Sequence, residues 1–431
     1  MQKPMLPGLP KYTRSDAMAP ITAPPTTIAV FSLLASTFVS FPPSSHERCL
    51  CRRITIFYRM LTMFEFAEPF PPASRVQGTN VGRGAHQDAY GTEQVVFETR
   101  ERLCRLFGGS DCANVVFSKN VTEPLNVLLK GYLRPGDHVI VSSMEHNAVM
   151  RPLRQLERQG VSFTRARCDG EGALDLDALE SCITPATRAL VMTHASNVCG
   201  TVMPARELGA FCREHGIRFF LDSAQTAGVL PIDVGELHAD AVAFTGHKGL
   251  MGPQGIGGLV LAEGLGLELE PLVSGGTGSV SHSEELPDFL PDRLEAGTQN
   301  LPGIFGLHAA LGWIAKTGID AIHRHEMALA ERFMEGLAPL EERGVARLVG
   351  RRGSEGRTAV VSIQTPGDDE ATVAKKLDSD YGIMVRVGLH CAPSAHKTLG
   401  TYPSGTIRFS FGYFSTAEEV DAALEALRDI L

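Results

Sequence analysis

Residues 241–261 read AVAFTGHKGLMGPQGIGGLVL. An apolar run reaches Thr245, a lone lysine follows at Lys248, five glycines fall between 249 and 258, and a second apolar run ends the stretch. Both runs are short, apolar throughout and bounded by glycine, which predicts strands buried on both faces rather than amphipathic ones. A charged amine directly after such a strand, followed by a turn rich in glycine, asks for a reason beyond solvation.

Outward from this stretch the same grammar repeats. Strands are predicted over 114–118, 138–143, 188–195, 218–223, 241–246 and 257–262. Helical spacing fills the gaps, as in TEPLNVLLKGYL, NAVMRPLRQLERQ and ARELGAFCREHG, and a further helix, EQVVFETRERLCRLFG, precedes the first strand. Apolar strands alternating with helices predict an α/β fold with a mostly parallel sheet covered on both faces. Near residue 300 the alternation gives way to a long helical stretch and a mixed C-terminal part. This divides the chain into a large domain over 75–304 and a smaller α+β domain over 305–431. Residues 1–74 carry 11 of the 26 prolines and no sustained period, so a poorly ordered or non-native extension is expected there. Its one apolar stretch, 27–41, is too short to span a bilayer comfortably.

Composition narrows the function. A formal net charge of −9 argues against nucleic acid or an anionic membrane as the main partner. Nine cysteines without paired spacing fit a reduced, cytoplasmic compartment and offer no zinc-site pattern, so no metal is expected.

In open sheets of this kind, ligands lie beyond the carboxyl ends of the strands. The residues there are polar: Lys119 to Thr122, Glu145 and His146, Asn197, Asp222 and Gln225, then Thr245, His247 and Lys248. SKNVTEPLN places Asn120 to Glu123 at a helix start, where backbone N–H groups favour an anion, although a plain N-cap reads the same way. A lysine, an aspartate and a phosphate cradle together suit pyridoxal phosphate: the amine holds the aldehyde and the carboxylate keeps the ring nitrogen protonated.

LDSAQTAGVLPIDV followed by FTGHKGLMGPQGIG resembles the class V aminotransferases of pyridoxal phosphate fold type I, and among them the cysteine desulfurases and selenocysteine lyases. The resemblance runs from NVGRGAH (80–86) to the C-terminus. It implies that Lys248 carries the cofactor, Asp222 partners the pyridine nitrogen and Gln225 bonds the phenolic oxygen. His146, in MEHNAV, would stack on the ring and assist proton transfer. Thr122, Thr245 and His247 would hold the phosphate, with Val121 where many relatives have threonine and Thr298 reaching over from a second subunit of a homodimer. Asn197 and Arg408 would receive the substrate carboxylate. Cys391, in VRVGLHCAPSAHKTLG, stands where desulfurases carry the cysteine that attacks sulfur, in an irregular segment where exposure and nearby positive charge favour thiolate. The implied reaction converts L-cysteine to L-alanine, leaves a persulfide on Cys391, and calls for a sulfur-acceptor protein, as in iron–sulfur cluster assembly. Three alternatives stay open: a selenocysteine lyase, another class V transaminase or lyase, and an inactive paralogue, since the LDNAAT-like turn that helps line the pocket in relatives is not found.

Overall fold

The structure, a computed structural model, describes residues 87–431. The expected N-terminal extension, the missing pocket turn and the NVGRGAH segment lie outside the described residues.

A helix, α1 (Gln87–Leu106), leads into alternating elements: β1 (Val115–Ser118), α2 (Thr122–Tyr132), β2 (His138–Ser142), α3 (Asn147–Glu157), β3 (Ser162–Ala166), β4 (Thr187–Thr193), α4 (Ala205–His215), β5 (Arg218–Asp222), β6 (Ala241–Thr245) and β7 (Gly257–Leu261). They form one seven-stranded sheet of order β1-β7-β6-β5-β4-β2-β3. The pairs from β3 through to β6 are parallel, while β7 runs antiparallel to both β1 and β6. The sheet is thus α/β and mostly parallel, as the apolar runs imply. All five residues of β2, β6 and β7 are buried, which fits coverage on both faces. Phe219, Phe220 and Phe244 are among the largest fully buried side chains, and each contributes about 1.5–3 kcal/mol by leaving water.

After the short α5 (Leu265–Glu268), the long α6 (Leu301–Thr317) lays Leu307, Leu311 and Ile314 into the same core as Leu103 and Phe107 of α1 and its loop. The C-terminal part follows with α7 (Ile319–Glu342), β8 (Arg347–Val349), β9 (Val360–Gln364), α8 (Glu370–Tyr381), β10 (Arg386–Gly388), α9 (Pro393–Thr398), β11 (Thr406–Ser410) and α10 (Ala417–Ile430). Its four strands make a separate antiparallel sheet, β10-β11-β9-β8, packed on α7 and α10 through Phe333, Leu337, Phe409 and Leu424. One piece of this second part sits elsewhere: Ala392, Ala395 and Leu399, around and within α9, pack into the core of the large sheet. That docking brings the segment bearing Cys391 to the large sheet.

Glycine explains the opening turn. A Cβ on Gly249 would stand 2.5 Å from the Ala227 carbonyl and from Val229 Cγ2. One on Gly257 would stand 2.8 Å from the Asn120 backbone. Without side chains at these two places the Lys248 loop seats against residues 227–229, and the β1–α2 turn closes over β7.

Candidate active site

Three parallel strands end side by side: Thr193 of β4 pairs with Asp222 of β5, and Asp222 pairs with Ala243 of β6, two residues before Thr245. Just past these ends the chain delivers its polar groups. Asp222 is only 3% exposed, and its Oδ1 accepts a 2.9 Å hydrogen bond from the Ala224 N–H. Burial pushes its carboxyl up, and the Lys248 ammonium works against that shift. Lys248 keeps some solvent access, yet desolvation dominates its titration: burial lowers it, Asp222 raises it, and Arg408 and Arg386 lower it again. The amine is therefore biased towards the neutral, nucleophilic form in a field shared with the acid.

His146 caps α3. Its Nδ1 accepts from the Ala148 N–H at 3.0 Å, so the neutral ring carries its proton on Nε2. Burial, then Lys248, Arg151 and Arg408, press its pKa down to about 4, so the ring is uncharged at neutral pH. Thr245, buried, bonds His247 Nδ1 through its hydroxyl at 2.9 Å; burial and Lys248 keep that histidine neutral as well. Gln225 is half-buried on the turn after Asp222.

At the β1–α2 turn the Asn120 side chain accepts from the Thr122 N–H at 2.9 Å, and Glu123 accepts from the Lys119 N–H. Thr122 is exposed and Val121 buried. Asn120 stands one residue ahead of the N-cap Val121, which makes no side-chain cap bond, and occupies one of the donors an anion would use. Thr298 is exposed; it lines one cavity of about 590 Å³ with Arg100, Glu295 and Phe289 and a second hollow with Ser118, Lys119 and Glu123 of the β1–α2 turn.

The substrate end of the site is built by three hydrogen bonds between the two sheets. Arg408 Nη1 donates to the Asn197 carbonyl at 2.9 Å, Asn197 Nδ2 donates to the His390 carbonyl at 2.8 Å, and the Asn147 N–H donates to the Cys391 carbonyl at 2.8 Å. Arg408, Asn197, the cysteine segment and the residue after His146 are thus one connected unit. Asn197 has one amide N–H engaged by the cysteine segment, a positioning duty the sequence does not reveal. His390 and Cys391 both adopt left-handed backbone, φ 47° and 59°, which turns the thiol out of the helix that follows. Cys391 is exposed, whereas Cys104, Cys168, Cys182, Cys199 and Cys212 are buried and Cys112 partly so.

The positive charge expected beside this thiol does not come from its histidine neighbours, His390 and His396. Both are buried, bonded to Thr406 and Thr401, and burial drives them to about 3 and about 4, so they are neutral. One further residue, Arg386, escaped sequence reasoning, and another, Glu145, stood among the strand-end residues without a role. Arg386 pairs directly with Arg408 across β10–β11, which puts both guanidiniums on one face of the small sheet. Glu145, fully buried, accepts from Ser142 Oγ and the Thr193 N–H, and burial raises it to about 8.

Residues 74–423 match the aminotransferase class-V family. The chain belongs to that family. A probable cysteine desulfurase of Methanothermobacter thermautotrophicus is 34% identical over 356 residues, covering 81% of this chain and 87% of the relative. A solved apo cysteine desulfurase from Thermococcus onnurineus superposes with a TM-score of 0.75 at 34% identity, covering 82% of this chain and 87% of the other. A cysteine desulfurase of Escherichia coli reaches 0.73 at 29% identity, over 86% and 89%. Class V membership accounts for the architecture: a large sheet that presents lysine and aspartate at its strand ends, and a smaller β-rich part that closes over them. The family implies pyridoxal phosphate, and the residues present fit it. Asp222 is a buried acid in need of a cationic N–H partner to ionise, and Lys248 is a desolvated amine in the same field.

Proposed function

We propose that the chain is a cysteine desulfurase: L-cysteine and the Cys391 thiol give L-alanine and a Cys391 persulfide. The observation that carries this reading is the hydrogen-bonded unit joining Arg408, Asn197 and the Cys391 segment beside Lys248 and Asp222. A carboxylate receptor and an exposed thiol segment on one hydrogen-bonded unit, with Arg408 in the electrostatic field of Lys248, support this reading.

Lys248, Asp222, Gln225 and His146 would hold the ring of pyridoxal phosphate, and Thr122, Val121, Thr245 and His247 its phosphate, with Thr298 contributed across a homodimer. When bound, the cofactor supplies an aldehyde that joins amines and a ring that takes up electron density from the substrate Cα. The chain's own residues do the rest. Arg408 turns a planar fork towards the substrate carboxylate, with Nη1 steadied by Asn197. Lys248, as the free amine, takes the Cα proton and returns protons to the carbon skeleton. His146 offers Nε2–H as a donor from a neutral ring. The Cys391 thiolate attacks the substrate sulfur; a sulfur–sulfur bond forms, the Cβ–sulfur bond breaks, and its electron pair stays with carbon, which is protonated to alanine. The exposure of Cys391 and its left-handed backbone support this role. We place the enzyme in the cytoplasm.

Cys391→Ala tests the assignment. Alanine formation from cysteine should fall to background while the visible band of the bound cofactor persists. Unchanged turnover would remove Cys391 from the mechanism, and retained activity on selenocysteine alone would favour the lyase.

A further inference from the structure

Beside the cysteine segment lies a hollow of about 390 Å³ between α3, α9 and the edge strand β3, lined by Asn147, Arg151, Arg154, Arg165, Pro393 and Lys397 among others. Four of these six side chains are cations, on a chain whose net charge is −9. All four are exposed. Arg154 meets Glu157 at 2.7 Å; among the described residues no carboxylate reaches ion-pair distance of Arg151, Arg165 or Lys397. Arg154 and Arg165 both lie over the Phe163 ring, 4.9 and 5.0 Å from its centre, so two like charges that repel each other are held against one aromatic ring. An incoming carboxylate relieves that repulsion. The hollow is also tied to the thiol: Asn147, on its wall, bonds the Cys391 carbonyl, and Pro393 lies two residues beyond Cys391.

We propose that this hollow docks an acidic face of the protein that receives sulfur from Cys391; the proposal rests on the desulfurase reading. The acceptor's thiolate attacks the outer sulfur of the Cys391 persulfide. A new persulfide forms on the acceptor, the old sulfur–sulfur bond breaks, and Cys391 leaves as thiolate and takes up the acceptor's thiol proton, with no external oxidant or reductant. Charge complementarity decides the class of partner, since a basic patch on an acidic protein steers acidic surfaces and repels basic ones.

The probes are two synthetic peptides of equal length with a single cysteine, one glutamate-rich and one lysine-rich, used with the cofactor-loaded enzyme. Fluorescence anisotropy of their serine-for-cysteine versions reads docking without turnover, and mass spectrometry of the cysteine versions reads persulfide transfer. The glutamate-rich peptide should bind at least about tenfold more tightly at low salt, and the advantage should fade as the Debye length falls from about 30 Å at 0.01 M to about 8 Å at 0.15 M salt. Arg154→Glu with Arg165→Glu and Lys397→Glu should abolish the preference and leave sulfide release to dithiothreitol intact; Arg151 is kept because its charge acts on His146. Lys397→Gln alone, milder for folding, should reduce the preference in part. Equal binding of both peptides, or a preference that survives the triple change, overturns the proposal. So does concentration-dependent self-association that the triple change abolishes, because the hollow is then a contact between copies. Failure of the wild type to release sulfide to dithiothreitol sinks the desulfurase reading instead, and the anisotropy comparison still decides whether acidic chains dock.

Discussion

Arg408→Lys isolates what the guanidinium does. Lysine keeps the positive charge that helps lower Lys248 and His146, so the electrostatics of the amine and the imidazole are largely preserved. What disappears is the fork. Arg408 holds the Asn197 carbonyl through Nη1 at 2.9 Å, and a guanidinium carries five donors in a planar fork, enough to keep that bond and serve a carboxylate. A single ammonium cannot keep that anchor and grip both carboxylate oxygens in line. The loss is about one charge-assisted hydrogen bond, roughly 1.5–3 kcal/mol, or a rise in KM for cysteine of about 10- to 150-fold. Because the lost bond serves bound substrate and transition state alike, kcat should change by less than about threefold. Initial rates of alanine formation across a cysteine titration give both numbers. A KM within about twofold of wild type would show that Arg408 does not receive the carboxylate. A fall in kcat at unchanged KM would place it in the chemical step instead.

Gly249→Ala drives a methyl to 2.5 Å from the Ala227 carbonyl, so the loop must shift; urea unfolding should show a loss of about 1–3 kcal/mol, with cofactor affinity reduced in parallel. Stability should also depend on pH from both sides. His146, His194 and His396 at about 4, and His390 at about 3, sit below their unfolded value of 6.5, so the unfolded chain binds more protons as pH falls through 6.5 and their stabilising contribution is lost towards pH 4. Glu145 and Glu326 at about 8 sit above 4.5, so the folded chain holds extra protons and their contribution is lost as pH rises towards 8. Four histidines outweigh two carboxyls on the acid side, and the melting temperature should peak near pH 6.5 and fall in both directions. Glu145→Gln, a neutral group for a neutral acid, should flatten the alkaline arm; an unaltered arm would show that Glu145 is already ionised in the folded protein.

Much of this architecture is legible in the chain because buried parallel strands must be apolar throughout. All six predicted strands of the large sheet appear. The seventh, β3, reads SFTRA with one buried position of five, so at the sheet edge it carries no continuous apolar signal. Lys248 and Asp222 could be found because they follow strands directly, where local order fixes position. Arg386 could not, since its meaning depends on cross-strand register with Arg408, and register is a tertiary property. The neutral state of His390 and His396 was hidden for a related reason: a histidine near a cysteine in sequence reads as a charge until burial is known. Asn197 shows the same limit, because its bond to His390 spans 193 positions. Thr298, exposed, shares a hollow with Ser118, Lys119 and Glu123 of the β1–α2 turn, a closeness that order along the chain hides.

The central claim is that Lys248 is the amine that holds pyridoxal phosphate, with Asp222 facing it. Borohydride reduction of the cofactor-loaded protein followed by peptide mapping tests this directly. The account predicts the cofactor's mass on the peptide bearing Lys248, and markedly weaker loading in Asp222→Ala. The mass on any other lysine, or a colourless protein with Lys248 unmodified, would contradict it.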